Sequence, residues 1–320
     1  MDYTQIAKEV LITEAKELER SSALLGNEMG KIVQLIAKIK GKLIITGVGK
    51  SGLVGSKMAA TFASTGTSSF FLHPTEAMHG DFGMIGKEDA VLAISYSGES
   101  EELIRILPHI KRFDIPLIGM AKDKNSTLGR YSDEFISIMI EKEACPLNTA
   151  PTSSTTLTMA LGDALAVCLM KHQDFQKEDF ASFHPGGSLG KQLFVKIKDI
   201  MRDKNLPIVS ATTPLKDAIV VMSEGRLGNV LIADSEGKLE GVLSDGDLRR
   251  ALMLEDFSLQ NPIMTYATKN PQSIQDENIL ASDAIKIVEE KKLQHLVVTD
   301  ENRVIRGVLH IHDLVEAGIK

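Results

Sequence analysis

The sequence predicts an α/β protein in which a three-layer αβα parallel-sheet domain is followed by a pair of small α+β units. Three observations carry that prediction. Short apolar runs alternate with amphipathic stretches as far as about Lys171, the pattern of a parallel sheet covered by helices on both faces. The first of those runs, Leu43-Ile44-Ile45, ends in a glycine-rich turn, Thr46-Gly47-Val48-Gly49-Lys50-Ser51-Gly52. From about Lys198 the chain changes character and repeats itself. Asp217-Ala218-Ile219 recurs as Asp283-Ala284-Ile285, Gly241-Val242-Leu243 as Gly307-Val308-Leu309 and Asp247-Leu248 as Asp313-Leu314, each pair 66 residues apart.

A chain of 320 residues exceeds one comfortable core, so the expected domains are residues 1–197, 198–260 and 261–320. A formal charge of -7 gives no electrostatic reason to expect nucleic acid or an anionic membrane as partner. Cys145 and Cys168 are too few and too separated for a disulfide framework or a four-ligand zinc site. Met1 to Val10 carry charges within their apolar pattern, and no stretch reaches the ~18 uncharged apolar residues of a membrane span. A cytoplasmic setting is expected.

Between Gln5 and Lys40 apolar residues recur at helical spacing, broken near Gly26 and Gly30. Two amphipathic helices therefore precede the sheet, to cover it, to pack on a second subunit, or both. After the glycine-rich turn the pattern predicts a helix from Leu53 to Ala63. Strands follow at Ser69 to Leu72, Ala90 to Ser95, Pro116 to Met120 and Phe135 to Ile140, with helices from Leu103 to Phe113 and from Ser153 to Lys171. In an open sheet of this kind ligands bind at the carboxyl ends of the strands, so those loops hold the chemistry.

Two of the loops read as anion cradles. In the first, Gly47, Gly49 and Gly52 let the backbone turn, Ser51 offers a hydroxyl, and the amides opening the next helix point at the guest. Its spacing is neither GxxxxGK[ST] nor GxGxxG, which argues against a nucleoside triphosphate. The second follows the strand at Ala90 and reads Ser95-Tyr96-Ser97-Gly98-Glu99-Ser100-Glu101-Glu102. Its serine hydroxyls suit a phosphate, and Glu99 and Glu101 suit the dipole of the helix they precede. Together the two cradles resemble the sugar isomerase (SIS) domain, whose members bind phosphosugars.

Further motifs tighten the resemblance. Gly49-Lys50-Ser51-Gly52, Phe71-Leu72-His73-Pro74, His79-Gly80-Asp81, Ser97-Gly98-Glu99-Ser100, Lys142-Glu143-Ala144-Cys145-Pro146, Ala150-Pro151-Thr152-Ser153-Ser154-Thr155 and His184-Pro185-Gly186-Gly187 occur in the order seen in D-arabinose 5-phosphate isomerases. Members of that family convert D-ribulose 5-phosphate to D-arabinose 5-phosphate, the first committed sugar of the Kdo branch of lipopolysaccharide synthesis. The likeness implies an aldose-ketose isomerisation through an enediol, which needs an acid and a base but no redox cofactor.

The family's functional residues fall on Lys50, Glu102, Glu143 and His184. Lys50 would polarise the carbonyl or neutralise the enediolate. A partly desolvated carboxylate, which gains basicity, suits the base, and both Glu102 and Glu143 are candidates. His184 would serve ring opening or proton shuttling. Ser51, Ser95, Ser97 and Ser100 are the expected phosphate ligands, while Ser153 to Thr156 read first as N-caps of the helix they open. The resemblance further implies that His73 and His79 line the substrate pocket, that His73 is a site for inhibitory zinc, and that the assembly is a homotetramer. A phosphosugar sensor without catalysis is the rival reading, but binding phosphate alone needs none of those four residues. An isomerase for another phosphosugar is the rival within the enzyme class.

The repeated half resembles a tandem pair of CBS (cystathionine beta-synthase) domains. Each copy reads as short strand, helix, two strands turning at Ser235-Glu236-Gly237 or Glu301-Asn302-Arg303, then helix. The resemblance implies a regulatory nucleotide or nucleotide-sugar ligand between the copies, with Asp247 and Asp313 as ribose contacts. Asp247 follows Gly246 directly, where the family has its aspartate one place further on, and an N-cap role for it stays open. His310 and His312 are expected to face solvent.

Overall fold

The computed structural model describes residues 1–319. It comprises two compact units, which divide between Phe183 and His184.

The first unit runs α1 (Tyr3–Leu24), α2 (Glu28–Lys38), β1 (Leu43–Gly47), α3 (Gly49–Ser64), β2 (Ser69–Phe71), α4 (Pro74–Met78), β3 (Ala90–Ile94), α5 (Glu101–Arg112), β4 (Leu117–Ala121), α6 (Thr127–Tyr131), β5 (Glu134–Ser137), α7 (Ser153–His172) and α8 (Lys177–Phe183). Its five strands pair in the order β2-β1-β3-β4-β5, all parallel. Successive strand residues face opposite sides, so Leu43 and Ile45 enter a core built with α2, α3 and α7. Ile44 enters a second core built with α4, α5 and α6. Leu92 and Ile94 divide from Val91 and Ala93 in the same way. A sheet apolar on both faces must be covered on both, and the three predicted layers result.

Helix α7 is long and apolar enough to cross a membrane by composition alone. Here it packs against α1, α2 and α3, with Leu157, Leu161, Leu165 and Leu169 buried at intervals of about one turn. Helix α2 buries Met29, Ile32, Val33 and Ile36. Its Gly30 is exposed and does not break it, so the break between α1 and α2 falls only near Gly26.

Two element boundaries differ from expectation by more than two residues. Helix α3 starts at Gly49 instead of Leu53, because extended Val48 and Gly49, with φ of +58°, turn the chain within one step. Lys50 and Ser51 thus lie in its first turn. Strand β5 ends at Ser137, while Ile138 and Ile140 stay buried as the chain leaves the sheet.

The second unit runs α9 (Ser188–Phe194), β6 (Ile208–Val209), α10 (Leu215–Gly225), β7 (Asn229–Ala233), β8 (Leu239–Ser244), α11 (Asp245–Ala251), β9 (Thr268–Lys269), β10 (Ser273–Ile274), α12 (Ala281–Lys291), β11 (His295–Thr299), β12 (Ile305–His310) and α13 (Ile311–Glu316). The sheets β6-β7-β8-β9 and β10-β11-β12 share one plan, a parallel pair followed by an antiparallel hairpin. The repeat extends to detail. The hairpins carry register shifts at Ile232/Ala233 and Val298/Thr299, and α10 and α12 end on left-handed Arg226 and Lys292. Leu231, Leu239, Val242, Val297 and Val308 form a core common to both copies. The unit begins ahead of the change in character at Lys198: Val195 O accepts from Ala281 N at 2.8 Å and Gln192 O accepts from Ser282 Oγ at 2.8 Å.

Phe62 is fully buried at the centre of the α3–α7 core. Phe62→Ala is expected to cost about 3–5 kcal/mol, read from the denaturant midpoint of the first unit. An unchanged midpoint would remove Phe62 from that core.

Candidate active site

A cleft of about 520 Å³ opens beyond the carboxyl ends of β1, β3 and β5. Strand β1 has β2 on one side and β3 on the other, so the connections after β1 and β3 diverge there and leave a crevice.

The β1 turn supplies Val48, Lys50 and Ser51 to the cleft. Its tightness depends on glycine, since a Cβ on Gly52 would lie 2.8 Å from Gly47 O. Lys50 also lines an adjoining hollow of about 480 Å³ with Phe71 and His73.

The β3 loop supplies Tyr96, Ser97 and Ser100. Gly98 has φ of +70°, and a Cβ there would lie 2.2 Å from Ser126 Oγ, so only glycine fits. Ser95 is buried behind the loop, where its hydroxyl accepts from Gly98 N at 3.1 Å and meets Ser100 Oγ at 2.9 Å. It shapes the cradle and does not line the cleft. Glu99 does not serve the helix that follows it. Its carboxylate accepts from Thr127 N at 2.7 Å at the start of α6, a bond that holds its pKa below the ordinary value. Glu101 pairs with Arg105 one turn on. Glu102 is exposed in the first turn of α5 and is not among the cleft residues.

The third wall is the stretch between β5 and α7, and Glu143 organises it. Its Oε2 accepts from Thr152 N at 2.8 Å, Thr152 Oγ1 at 3.0 Å and Ser154 N at 3.2 Å, and its Oε1 accepts from Ser154 Oγ. Ala144 N donates to the same Thr152 hydroxyl at 2.9 Å, and Glu143 N donates to Asn148 Oδ1 at 2.7 Å. The expected hydroxyl caps are therefore replaced: Thr152 is the N-cap but its side chain makes no capping bond, and the Glu143 carboxylate accepts from the Thr152 amide and from the Ser154 amide in the first turn of α7. Burial pushes the Glu143 carboxyl up, but the Ser154 and Thr152 donors outweigh it and leave the pKa below its ordinary value of 4.5. The gain in basicity expected of a desolvated carboxylate does not occur. Glu143 is instead a dependably ionised group.

Sequence reasoning did not assign Tyr96, Lys142 or Asn148 to the site, although each lies inside or beside a motif it singled out. Burial pushes the Tyr96 hydroxyl up, over the opposing bond with the Ile140 backbone, and the Lys122 ammonium stands 5.9 Å from the centre of its ring. Ser154 and Thr155 also line the cleft.

His73 and His79 sit at opposite ends of α4. His73 caps its start, with Nδ1 accepting from Thr75 N at 3.2 Å. His79 ends the helix, is exposed and lines neither cavity. Among the described residues no three His, Cys, Asp or Glu side chains are grouped to hold a metal ion. His184 belongs to the second unit, where its carbonyl accepts from Gly187 N at 3.0 Å.

In the second unit Ser244 is the N-cap of α11, and Asp247 closes the capping box by accepting from Ser244 N at 3.0 Å and Ser244 Oγ at 2.7 Å. Asp313 closes the corresponding box at His310 N, 3.0 Å away, and pairs with Arg202 at 3.3 Å. Asp247 lines a cavity of about 650 Å³ between the two copies with Thr268, Lys292 and His295, whereas Asp313 does not. His310 is half-buried, contrary to expectation, because it caps α13 and stacks on His312 with ring centres 4.9 Å apart. Burial and the neighbouring His310 push the His295 imidazole down to about 4.

A parallel sheet with two hydroxyl-bearing cradles at its switch point, joined to a duplicated α+β module, defines a SIS-domain protein carrying a CBS pair. The family model of the SIS domain matches residues 35–168, and that of the CBS domain matches residues 197–254 and 263–320. A probable arabinose 5-phosphate isomerase of Haemophilus influenzae is 46% identical, over 95% of this chain and 90% of its own. The arabinose 5-phosphate isomerase KdsD of Francisella tularensis is 44% identical, over 98% and 97%. A protein of E. coli CFT073, solved in complex with arabinose 5-phosphate, is 38% identical with a TM-score of 0.56, over 58% of this chain and all of its own. The chain belongs to the arabinose 5-phosphate isomerase family.

Glu143 has a depressed folded-state pKa, so its bonds stabilise the fold fully above about pH 4.5 and are lost as pH falls through the lower folded value. Ser154→Ala is accordingly expected to lower the melting temperature more at about pH 7 than at about pH 3. Equal losses at both would exclude a charged bond.

Proposed function

We propose that this protein interconverts D-ribulose 5-phosphate and D-arabinose 5-phosphate through a 1,2-enediol, with Glu143 as the base. The observation that carries the reading is one cleft that gathers the Lys50 ammonium, the Ser51, Ser97 and Ser100 hydroxyls and the ionised Glu143. The hydroxyls and the first amides of α3 and α5 take the phosphate. Glu143 removes a proton from C1 of the ketose, and the electron pair moves to the C2 oxygen. Lys50 neutralises the enediolate that forms. The C1 hydroxyl proton passes to the C2 oxygen, and return of the abstracted proton to C2 as C1 becomes the carbonyl gives the aldose.

The bonds from Ser154 and Thr152 keep Glu143 charged and aimed, so transition-state stabilisation by Lys50 compensates for a modest base. Glu102 lies outside the cleft and complements the dipole of α5. His184 opens the sugar ring of the aldose. No redox cofactor is required, and His73, beside Lys50, is where a zinc ion would inhibit. The product feeds Kdo and lipopolysaccharide synthesis. The enzyme works in the cytoplasm as a homotetramer, a reading supported by its two free thiols and by exposed Ile6, Leu11 and Ile12 on α1. The cavity at Asp247 takes a nucleotide or nucleotide-sugar regulator.

Proton NMR with ribulose 5-phosphate in deuterium oxide tests the reaction. Arabinose 5-phosphate carrying deuterium at C2 is expected, and Glu143→Gln is expected to abolish both product and exchange. Lys50→Ala should lower kcat by about 10²–10³-fold. A wild-type protein that binds the sugar yet shows neither product nor exchange would be a phosphosugar sensor.

A further inference from the structure

The 22-residue helix α1 buries one side chain, and that side chain is a carboxylate. Glu17 is 4% exposed, while Tyr3, Ile6, Leu11, Ile12 and Leu24 lie open on the same helix. Burying a carboxylate costs several kcal/mol unless partners compensate, and the partners of Glu17 converge on the wall of the cleft. Its Oε1 accepts from Glu141 N at 3.0 Å and from Lys142 N at 3.2 Å. Its Oε2 pairs with Arg20 Nε at 3.1 Å, and the same guanidinium donates to Met139 O. One turn earlier, Glu14 Oε2 accepts from Thr156 Oγ1 at 3.1 Å, in the first turn of α7.

Helix α1 therefore grips the chain on both sides of Glu143: at 139–142 before it, and at the helix that Glu143 caps after it. From this geometry we infer that Glu17, supported by Arg20, is a positioning residue that sets the register of the loop presenting Glu143. The inference rests on Glu143 being the base. An apolar side chain could fill the same volume without desolvating a charge. What it could not do is fix two successive amides of a strandless segment, and Glu143 is the next residue along. A displacement of about 1 Å at a reacting group can cost about 10²-fold in rate.

Glu17→Ala and Glu17→Gln test this in the full-length protein. Glutamine keeps the Oε1 acceptor for both amides but loses the charged partner of Arg20. For Glu17→Ala, kcat is expected to fall about 10- to 100-fold while KM for ribulose 5-phosphate stays within about threefold. Glu17→Gln should keep kcat within about fivefold of wild type even if its melting temperature falls as far as that of the alanine variant. An alanine variant with wild-type kcat overturns the inference, as does a folded glutamine variant that loses as much rate as alanine. If Glu17→Ala does not fold, the glutamine variant decides alone by the same limits. Amide hydrogen exchange at Glu141 and Lys142 separates this inference from the reaction itself. If the wild type shows no isomerisation, faster exchange at those two amides in a variant lacking the acceptor still reports the anchor, and unchanged exchange refutes it.

Discussion

Glu143 accepts hydrogen bonds from the amides and hydroxyls of Thr152 and Ser154, so one carboxylate closes the loop that carries it and satisfies the open start of α7. A twenty-residue helix that buries Leu157, Leu161, Leu165 and Leu169 brings a fixed N-terminus to the cleft. Its amides need an acceptor, and its dipole favours an anion. The same bonds that finish the helix hold the Glu143 pKa below its ordinary value, in the cleft that Ser51, Ser97 and Lys50 also line. Stability and site geometry are here one set of contacts, which is why the third wall of the cleft can be irregular chain and still be ordered.

The other two walls follow from the sheet. Divergence of the connections after β1 and β3 opens the crevice, and Gly52 and Gly98 allow backbone and side chains to approach where any Cβ would collide. Ser95 shows how the cradle divides its labour. Buried, it holds Gly98 and meets Ser100, leaving Ser97 and Ser100 to face the cleft. Serines of the same chemical type thus split between lining the cleft and supporting its wall, according to their burial.

The second unit shows a repeat held to its caps and bulges while the residues lining its cavity differ between the copies. Ser244 and His310 occupy matching N-cap positions, and Asp247 and Asp313 close matching boxes. Yet the pair cavity takes Asp247 and His295 on its walls and leaves Asp313 out, so the two copies contribute unequally to it. The aspartates are part of helix initiation first, and any ligand role is added to that.

By itself the sequence determined the layers, the two cradles and the repeat, because each is a local or periodic signal. Alternating apolar residues define strand faces, glycine and serine after a strand define an anion loop, and identical spacings define a duplication. Only the tertiary structure decided which of the two candidate carboxylates meets the cleft. Glu102 and Glu143 both stand in recognisable motifs, and what separates them is a wall built from the start of α7, nine or more residues further along the chain from Glu143. Glu17 was illegible for the same reason. In a helix rich in Glu, Lys and Arg nothing local marks the one charge that is buried, since its partners Glu141 and Lys142 lie 124 and 125 residues away. Charge on a helix is a local property, but desolvation of that charge is set by whatever long-range packing lays across it.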